Sequence, residues 1–300
     1  MPTRLSWSSI SKYAECGERW RLEYGFKIPS ATWFATLAGS AIHRITELAD
    51  LAELNGVVWE DQLAEAPSFQ EEFDKEIAEA KAASKEIKAS GKQQKTVTEN
   101  GGPHKKDYDW WLHYGPIYVQ RWMDWKKAMG WTLAVLPDGR PGVELPFDIT
   151  LGGIQVRGII DRVYIDEDGW VTVFDLKSGE IPSGSLQLLT YVAGLKEIYG
   201  INAQFACFWS PRKTDEAEDG TRIGGLSPIV SVSKWNLARL DSMYAQAVRG
   251  IEAGVFLPTV TNMCVGCGVR DYCWAVAGDK HDDMPYDTGV VGVDSQTTSV

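Results

Sequence analysis

Apolar residues alternate along the chain between residues 142 and 176, and this pattern constrains the fold more than any other feature of the sequence. Residues 142–151, 154–165 and 170–176 show the period of two that is typical of half-buried strands. The pair Gly152-Gly153 and a loop ending in Asp168-Gly169 provide the two chain reversals. We therefore predict that the three strands form an antiparallel meander.

Helical patterns lie on both sides of this meander. Apolar residues recur there at three- and four-residue steps, and one segment rich in alanine, glutamate and lysine has the composition of an exposed helix. We predict helices at 6–24, 38–54, 60–92, 108–131, 185–199 and 234–253, further strands at 203–209 and 228–232, a loop at 90–107 and a turn region at 215–225. The fold therefore mixes helices and strands, and the chain has no internal repeat.

Composition limits the class of protein. A chain of 300 residues that is 44% hydrophobic and 24% charged can bury a sizeable core. No run reaches the roughly eighteen apolar residues of a membrane-spanning helix, and the N-terminus lacks a signal-peptide pattern. We therefore expect a cytoplasmic protein that does not enter a membrane. Residues 279–300 are polar, acidic and non-periodic, so we expect a disordered acidic tail there.

The formal net charge of −11 argues against a nucleic-acid partner, because phosphate binding depends on lysine and arginine. Much of the acidity, however, lies in the tail and in the helical stretch 60–79. Net charge does not determine local charge. A basic surface elsewhere on the chain is therefore compatible with the composition.

Two acidic residues interrupt neighbouring strands of the meander. Asp175 and Lys177 share one face of the third strand, and Asp161 interrupts the apolar run of the second. This pair suits a metal-dependent hydrolase, in which the carboxylate binds a metal ion and the lysine steadies an attacking water. The alternative is a surface ion pair, because a tripeptide of the form Asp-x-Lys is common. One cation can bind both carboxylates only if Asp161 lies opposite Asp175. That register requires a three-residue loop, 167–169, with Gly169 in a left-handed conformation.

Four further positions are candidates for the same site. Gln187 and Tyr191 are four residues apart on a predicted helix, so they share a face that can abut the strand ends. His43 lies on another predicted helix, where a solitary histidine is more often a core or surface group than a ligand. Glu144, in the first strand, is either an additional metal ligand or an edge-strand surface residue.

Four of the five cysteines lie near the two ends of the chain. The pattern Cys264-x2-Cys267-x5-Cys273 contains glycines that let the backbone curl around one centre, and Cys16 is the fourth candidate ligand. In a chain without a signal peptide, clustered cysteines indicate a metal centre more often than disulfides. Both zinc and an iron-sulfur cluster accept four cysteines, so the spacing leaves these alternatives open. The fifth, Cys207, lies in an apolar run and is predicted to be buried.

The ordered set His43, Asp161, Asp175-x-Lys177 and Gln187-x3-Tyr191 resembles the motif series of RecB-like nucleases in the PD-(D/E)XK superfamily. The resemblance implies an α/β (α+β) restriction-endonuclease-like core, in which a central mixed sheet is flanked by helices. It further implies one nuclease domain at 1–278 with a helical insertion at about 55–135. The first acidic residue follows Ile160 instead of proline, and the literal Pro137-Asp138 pair is typical of a turn.

The resemblance also implies roles for individual residues. His43, Asp161 and Asp175 would bind Mg²⁺ or Mn²⁺, Lys177 would assist catalysis, and Gln187 and Tyr191 would border the site and contact DNA. One cysteine before the nuclease motifs and three after them imply a [4Fe-4S] cluster that joins the N- and C-terminal segments. The cluster ligands would be Cys16, Cys264, Cys267 and Cys273, with zinc as the alternative.

We therefore predict a metal-dependent DNA nuclease, specifically an exonuclease that acts on a free or single-stranded DNA end. We expect it to serve recombination, repair or CRISPR-type adaptation, with protein partners from recombination or repair. Arg162, Arg212 and Lys213 are candidates for contacts with the DNA backbone. The alternatives are a non-cutting DNA-binding or recombination-accessory protein and an iron-sulfur redox sensor. The tryptophans between 110 and 131 could stack on single-stranded bases, but their helical spacing favours core packing.

Overall fold

The computed structural model describes residues 4–30, 32–57, 66–89, 97–98 and 106–285. Its helices are α1 (Trp7–Glu15), α2 (Gly17–Trp20), α3 (Phe34–Leu54), α4 (Phe69–Ala89), α5 (Tyr108–Met129), α6 (Leu186–Tyr199) and α7 (Leu237–Glu252). Its strands are β1 (Arg4–Leu5), β2 (Thr32–Trp33), β3 (Val97–Thr98), β4 (Thr132–Leu133), β5 (Val143–Leu151), β6 (Ile154–Ile165), β7 (Val171–Leu176), β8 (Phe205–Glu216), β9 (Arg222–Leu226) and β10 (Val230–Ser231). A π-helical turn (Arg21–Gly25) follows α2, and 3₁₀ turns follow α7 at Asn262–Gly266, Arg270–Tyr272, Trp274–Val276 and His281–Asp283.

The strands of the described residues form one eight-stranded mixed sheet and a separate pair, β2 with β3. β6 is antiparallel to β5 along most of its length and antiparallel to β7 along its last four residues, which confirms the predicted meander. β7 pairs in parallel with β8, and the crossover between them contains α6. A mixed sheet flanked by helices is the predicted fold class.

The β6–β7 hairpin has the register that the sequence predicts. Arg162 lies opposite Phe174 and Ile165 lies opposite Val171. The same register, continued by one residue, places Asp161 opposite Asp175. The connecting loop consists of residues 167–169, and Gly169 has a φ of 80°. The turn chemistry thus brings two carboxylates to the same face of the sheet.

Helices cover both faces of this sheet. On one face, α1, α6 and α7 pack against apolar residues of β5, β6 and β7. On the other face, Trp122 and Trp125 of α5 pack against Phe174 and Trp209. This confirms core packing for these two tryptophans, and Cys207 is fully buried in the same cluster, as predicted. A further apolar cluster joins α3, α4 and α5.

The predicted first helix, 6–24, is interrupted. α1 ends at Glu15, and Cys16 has an extended backbone with φ −161° before α2 begins. A Cβ on Gly17 would lie 2.9 Å from backbone atoms of Phe256 and Leu257. The interruption therefore lets the segment after α7 pass directly against the N-terminal helices.

Other predicted boundaries also differ. β8 extends to Glu216 and pairs with β9, so the predicted turn region 215–225 is largely strand, and the turn comprises 217–221. Of the predicted helix 60–92, α4 is described, whereas 58–65 and 90–96 lie outside the described residues. Most of the predicted loop 90–107 also lies outside them. Of the predicted tail, 279–285 contains a 3₁₀ turn, and 286–300 lies outside the described residues.

No helix in the described part of the chain combines the length and the apolar character that crossing a membrane would need.

Candidate active site

The candidate active-site residues meet near the C-terminal end of β7. Asp161 lies on β6, Asp175 lies on β7, and Lys177 follows β7 directly. His43 comes from the middle of α3, and Glu144 is the second residue of β5. The sheet and α3 therefore bring together residues that are far apart in the sequence.

His43, Glu144 and Asp161 form a compact group of ligand-type side chains, the single such group found among the described residues. Their donor atoms all lie within 4.8 Å of one another. The Nδ1 atom of His43 is 3.7 Å from Asp161 Oδ2 and 3.8 Å from Glu144 Oε1. The other ring nitrogen, Nε2, lies 3.1 Å from the carbonyl oxygen of Leu176. Because a carbonyl only accepts hydrogen bonds, Nε2 donates, and Nδ1 faces the carboxylates as a metal ligand requires.

Electrostatic interactions in this group oppose the effect of burial. Burial lowers the pKa of His43, but the carboxylates of Asp161 and Glu144 outweigh that effect and raise it above its ordinary value. Burial raises the pKa of Glu144, whereas His43 and Arg162 lower it, and the net shift is downward. The group therefore has the negative potential that attracts a cation.

Glu144 has an unusual backbone conformation. Its φ is 47°, in the left-handed region that non-glycine residues rarely adopt. The ladder between β5 and β6 pairs Val143 with Arg162 and Leu145 with Ile160, so Glu144 lies opposite Asp161. The sequence left Glu144 open as a ligand or an edge residue. Its contact with His43 and its position beside Asp161 place it in the candidate metal group.

Asp175 lies next to this group and is held by two side chains. Its Oδ2 atom is 2.6 Å from Lys177 Nζ, and its Oδ1 atom accepts a hydrogen bond of 2.6 Å from Gln187 Nε2. Gln187 Nε2 also donates to the hydroxyl oxygen of Tyr191 at 2.9 Å. Burial and the charge of Asp161 raise the pKa of Asp175 to about 7, although Lys177 opposes them. Two carboxylates that repel one another here are suited to share a divalent cation.

Asp161 connects the two halves of the site. Its Oδ2 atom accepts a hydrogen bond of 2.8 Å from the backbone N–H of Leu176 and also faces His43. The structure thus brings together the seven candidate site residues that the sequence singled out, namely His43, Glu144, Asp161, Asp175, Lys177, Gln187 and Tyr191.

Arg162 does not contact solvent, so its prediction as a DNA contact is wrong. Its guanidinium group is fully buried and donates to Glu144 Oε1 at 2.9 Å, to the carbonyl of Asp161 at 2.7 Å and to the carbonyl of His43 at 3.3 Å. It also forms a 2.5 Å ion pair with Asp50 Oδ2. Arg162 can be buried within the apolar strand β6 because α3 supplies two of its partners, the Asp50 carboxylate and the carbonyl of His43.

Asp50 is a site residue that sequence reasoning missed. This fully buried carboxylate accepts hydrogen bonds from Lys126 Nζ at 2.6 Å and from the hydroxyl of Tyr164 at 2.9 Å, in addition to its ion pair with Arg162. Its spacing from His43 is the feature of the sequence that could have indicated it. The two residues are seven apart on α3 and therefore lie on the same side of the helix.

The other two predicted DNA contacts lie on β8. Arg212 Nη1 forms a 2.6 Å ion pair with Glu180 Oε1. Lys213 is exposed, and its ammonium group donates to the carbonyl of Leu226. Their role toward DNA stays a prediction.

Comparison with known proteins assigns the chain to a family. The model of the PD-(D/E)XK nuclease superfamily matches residues 4–274. The chain belongs to this superfamily.

Two phage proteins are similar to this member of the PD-(D/E)XK nuclease superfamily. The Gene 69 protein of Mycobacterium phage D29 is 29% identical in an alignment 185 positions long, and the alignment covers 56% of this chain and 66% of that protein. The match thus spans just under two thirds of the D29 protein. The Gene 69 protein of Mycobacterium phage L5 is 26% identical in an alignment 306 positions long, and the alignment covers 91% of this chain and 96% of that protein.

Solved structures show weaker likenesses. The structure of SSO0001 is 13% identical, with a TM-score of 0.36, and the match covers 92% of this chain and 87% of that one. A protein from Eubacterium rectale, whose name provisionally assigns it as an exonuclease, is 13% identical with a TM-score of 0.45, covering 88% of this chain and 87% of that one. With scores this low, neither structure adds to the assignment.

One small cavity between the N-terminal helices and the segment after α7 is lined by four of the five cysteines, namely Cys16, Cys264, Cys267 and Cys273. The backbone N–H groups of Thr259 and Thr261 each approach a sulfur at 3.4 Å, that of Cys16 and that of Cys264 respectively. All four are free thiols, and no three of their sulfurs lie within 4.8 Å of one another.

Proposed function

We propose that this chain is a divalent-metal-dependent deoxyribonuclease of the RecB-like branch. The observation that carries the proposal is the convergence of His43, Glu144 and Asp161 beside the Asp175–Lys177 pair at one edge of the sheet. A nitrogen ligand and several carboxylates form a donor set that suits Mg²⁺ or Mn²⁺. The mutual repulsion of Asp161 and Asp175, which raises the pKa of Asp175, supports the fit of a cation between them.

Within this proposal His43, Asp161 and Asp175 hold the ion, and Glu144 is an additional ligand. A bound divalent ion neutralises charge on the scissile phosphate and lowers the pKa of an attacking water. Lys177 lies beside Asp175, where its ammonium group can orient the water or stabilise negative charge that develops on the phosphate. Gln187 fixes the orientation of the Asp175 carboxylate, and Tyr191 fixes Gln187.

The test is cleavage of end-labelled linear DNA by the full chain with Mn²⁺ or with EDTA. Asp175→Ala should abolish cleavage, whereas Asp168→Ala should retain it, because Asp168 is exposed at the opposite end of the same hairpin. Cleavage that persists in EDTA, or in the Asp175→Ala variant, would contradict the proposed site.

We further propose that the enzyme is an exonuclease that needs a DNA end, and that it serves recombination, repair or CRISPR-type adaptation together with protein partners of that process. The motif resemblance to RecB-like nucleases supports this step. Covalently closed circular DNA should remain intact under conditions in which the linearised form is degraded. Nicking or linearisation of the circle would instead identify an endonuclease.

We propose that Cys16, Cys264, Cys267 and Cys273 bind a [4Fe-4S] cluster. Both zinc and an iron-sulfur cluster accept four cysteine ligands. The four thiols line one cavity, and backbone N–H groups are directed at two of them, which supports a shared metal centre. The motif resemblance to RecB-like nucleases favours the cluster over zinc.

Anaerobic purification followed by iron, sulfide and zinc analysis tests this ligand set. We expect about four iron and four sulfide per chain, falling sharply in Cys273→Ser and unchanged in Cys207→Ser. Stoichiometric zinc without sulfide would contradict the cluster.

A further inference from the structure

The N-terminal end of α5 presents aromatic rings and a cation on one exposed side. Lys106, Trp110 and Tyr114 are spaced four residues apart, and the two rings follow one side of the helix. Trp110 and Tyr114 stack with ring centroids 4.3 Å apart and an interplanar angle of 28°. Lys106 Nζ lies 4.6 Å from the centroid of the Trp110 ring. This surface therefore consists of a stacked pair with a positive charge at one end.

These two rings differ from the other aromatic residues of α5. Trp111, Trp122 and Trp125 are at most 2% exposed and fill the core, whereas Tyr114 is 37% exposed and Trp110 is half-buried. Core packing accounts for the first group, whereas Trp110 packs only in part against the cluster of α3, α4 and α5, and Tyr114 lies outside that cluster. A stacked, partly exposed pair of rings offers flat apolar area to a ligand that is itself flat.

Positive charge lies close to the stacked rings. Arg212 and Glu180 are near enough to Lys106 to influence the pKa of its ammonium group. Burial lowers that pKa, Arg212 lowers it further, and Glu180 raises it. Glu180 is 83% exposed and pairs with Arg212 at 2.6 Å. Its carboxylate thus occupies the place where an anionic ligand can neutralise both cations.

This surface adjoins the candidate active site through the loop after β7. Glu180 is three residues beyond Lys177, and Ser178 approaches Gly39 of α3 so closely that a Cβ on Gly39 would be 3.0 Å from its hydroxyl. Gly39, Ser178, His43 and Glu144 line one open cavity of about 560 Å³. The loop after β7 thus carries Ser178, which lines this cavity, and Glu180, which pairs with Arg212 beside Lys106.

We propose that Lys106, Trp110, Tyr114 and Arg212 form a stacking platform that binds the single-stranded end of the DNA substrate as it enters the active site. The proposal rests on the proposed nuclease function and specifies how the substrate is held. Unpaired bases stack on aromatic rings without regard to sequence, and lysine and arginine contact the phosphates. In this arrangement Lys106 moves from the Trp110 ring to a phosphate, and a phosphate replaces Glu180 at Arg212.

The platform predicts a preference for single strands. Bases in a duplex are stacked on one another and cannot reach the rings, whereas their phosphates remain available to the cations. Loss of a ring should therefore weaken binding of single-stranded DNA and leave binding of blunt duplex DNA nearly unchanged. Loss of the Glu180 charge should strengthen binding, because the carboxylate competes with phosphate.

The experiment is fluorescence anisotropy with the full chain in EDTA, which prevents cleavage, using a fluorescein-labelled oligothymidine and a blunt duplex of equal length. Trp110→Ala and Tyr114→Ala should each raise the Kd for the oligothymidine roughly 5- to 100-fold. Trp110→Phe should retain most of the affinity, and Glu180→Gln should lower the Kd. Trp170→Ala is the matched control, because Trp170 is 46% exposed but lies before β7, at the end remote from Lys177.

The results separate this proposal from the proposed function. Unchanged oligothymidine binding in both alanine variants, while wild-type protein cleaves DNA with Mn²⁺, would overturn the platform and leave the nuclease intact. A wild-type protein that neither binds nor cleaves DNA would overturn both. Trp110 also packs on Trp111. If circular dichroism shows that Trp110→Ala is unfolded, Tyr114→Ala and Lys106→Met decide the question.

Discussion

At the residue scale, one buried cation, Arg162, contacts every member of the candidate metal group of His43, Glu144 and Asp161. The guanidinium group of Arg162 bonds to the Glu144 carboxylate and to the backbone carbonyls of His43 and Asp161. It therefore ties together all three members of the ligand group. Asp50 neutralises Arg162 from α3 and also accepts a hydrogen bond from Lys126.

Removal of Asp50 should destabilise the protein strongly. Asp50→Ala leaves Arg162 and Lys126 buried without their shared partner, and breaking a buried ion pair in this way costs about 3–5 kcal/mol. We expect urea denaturation in EDTA to show a loss of that size. Glu47→Ala, which removes a partly exposed partner of Arg44 on the same helix, should cost less than about 1 kcal/mol. Equal losses in the two variants would refute the role of Asp50.

Asp175 should reduce stability while it supports activity. Its pKa rises from an ordinary value of 3.8 to about 7 in the folded chain. The folded state therefore resists ionisation, and the free-energy penalty on folding grows as the pH rises from 3.8 to about 7. In EDTA, Asp175→Asn should raise the free energy of unfolding at pH 8 by at least about 1 kcal/mol.

The pH dependence provides the check on this prediction. At pH 5 the Asp175 side chain of the folded wild-type protein is largely protonated, so the gain from asparagine should be smaller than at pH 8. Thermal denaturation at the two pH values, with Asp168→Asn as the exposed control, measures the difference. A stability gain from Asp175→Asn that is larger at pH 5, or a loss of stability at both pH values, would contradict the prediction. It would show that burial and Asp161 do not make ionisation of Asp175 unfavourable.

The sequence predicted the directly acting residues better than the supporting ones. Asp161, Asp175 and Lys177 follow from strand alternation and turn chemistry, because these are local properties. Asp50 could not be found in this way, since its partner Arg162 is 112 positions away in the sequence. Arg162 was misassigned for the same reason, because its burial depends on a helix that strand periodicity does not reveal.

At the scale of elements, two glycines differ in whether the local sequence or a distant contact explains the structure around them. Gly169 has a φ of 80° and open space around it, so the hairpin could be predicted from the turn itself. Gly17 directly follows the interruption of the first helix at Cys16 and packs against Phe256 and Leu257, which are some 240 residues away in the sequence. No local pattern indicates that contact. The predicted helix 6–24 is therefore interrupted in the structure.

The two glycines should respond differently to alanine. Gly169→Ala meets only the cost of a left-handed conformation, about 1 kcal/mol. Gly17→Ala places a Cβ 2.9 Å from backbone atoms, so the segment that carries Cys264, Cys267 and Cys273 must shift. We expect Gly17→Ala to cost more stability and also to lower the iron content of purified protein. Full iron content in Gly17→Ala would show that the segment tolerates the displacement.

At the scale of the whole molecule, the two ends of the described chain are packed together. The hydroxyl of Tyr13 donates to the carbonyl of Val255 at 2.7 Å, and the rings of Trp20 and Phe256 stack with centroids 5.7 Å apart. The cysteine spacing anticipated that the ends meet. The mixed sheet with helices on both faces was predictable from periodicity and resemblance, whereas the single domain at 1–278 stays a prediction.

The central claim is that Asp161 and Asp175 share one divalent cation with His43. Anomalous diffraction from crystals soaked in Mn²⁺ tests it directly. We predict one strong manganese peak bonded to His43 Nδ1 and to a carboxylate oxygen of both Asp161 and Asp175, and the loss of that peak in Asp161→Asn. A peak remote from these side chains, or no peak at saturating Mn²⁺, would contradict the account.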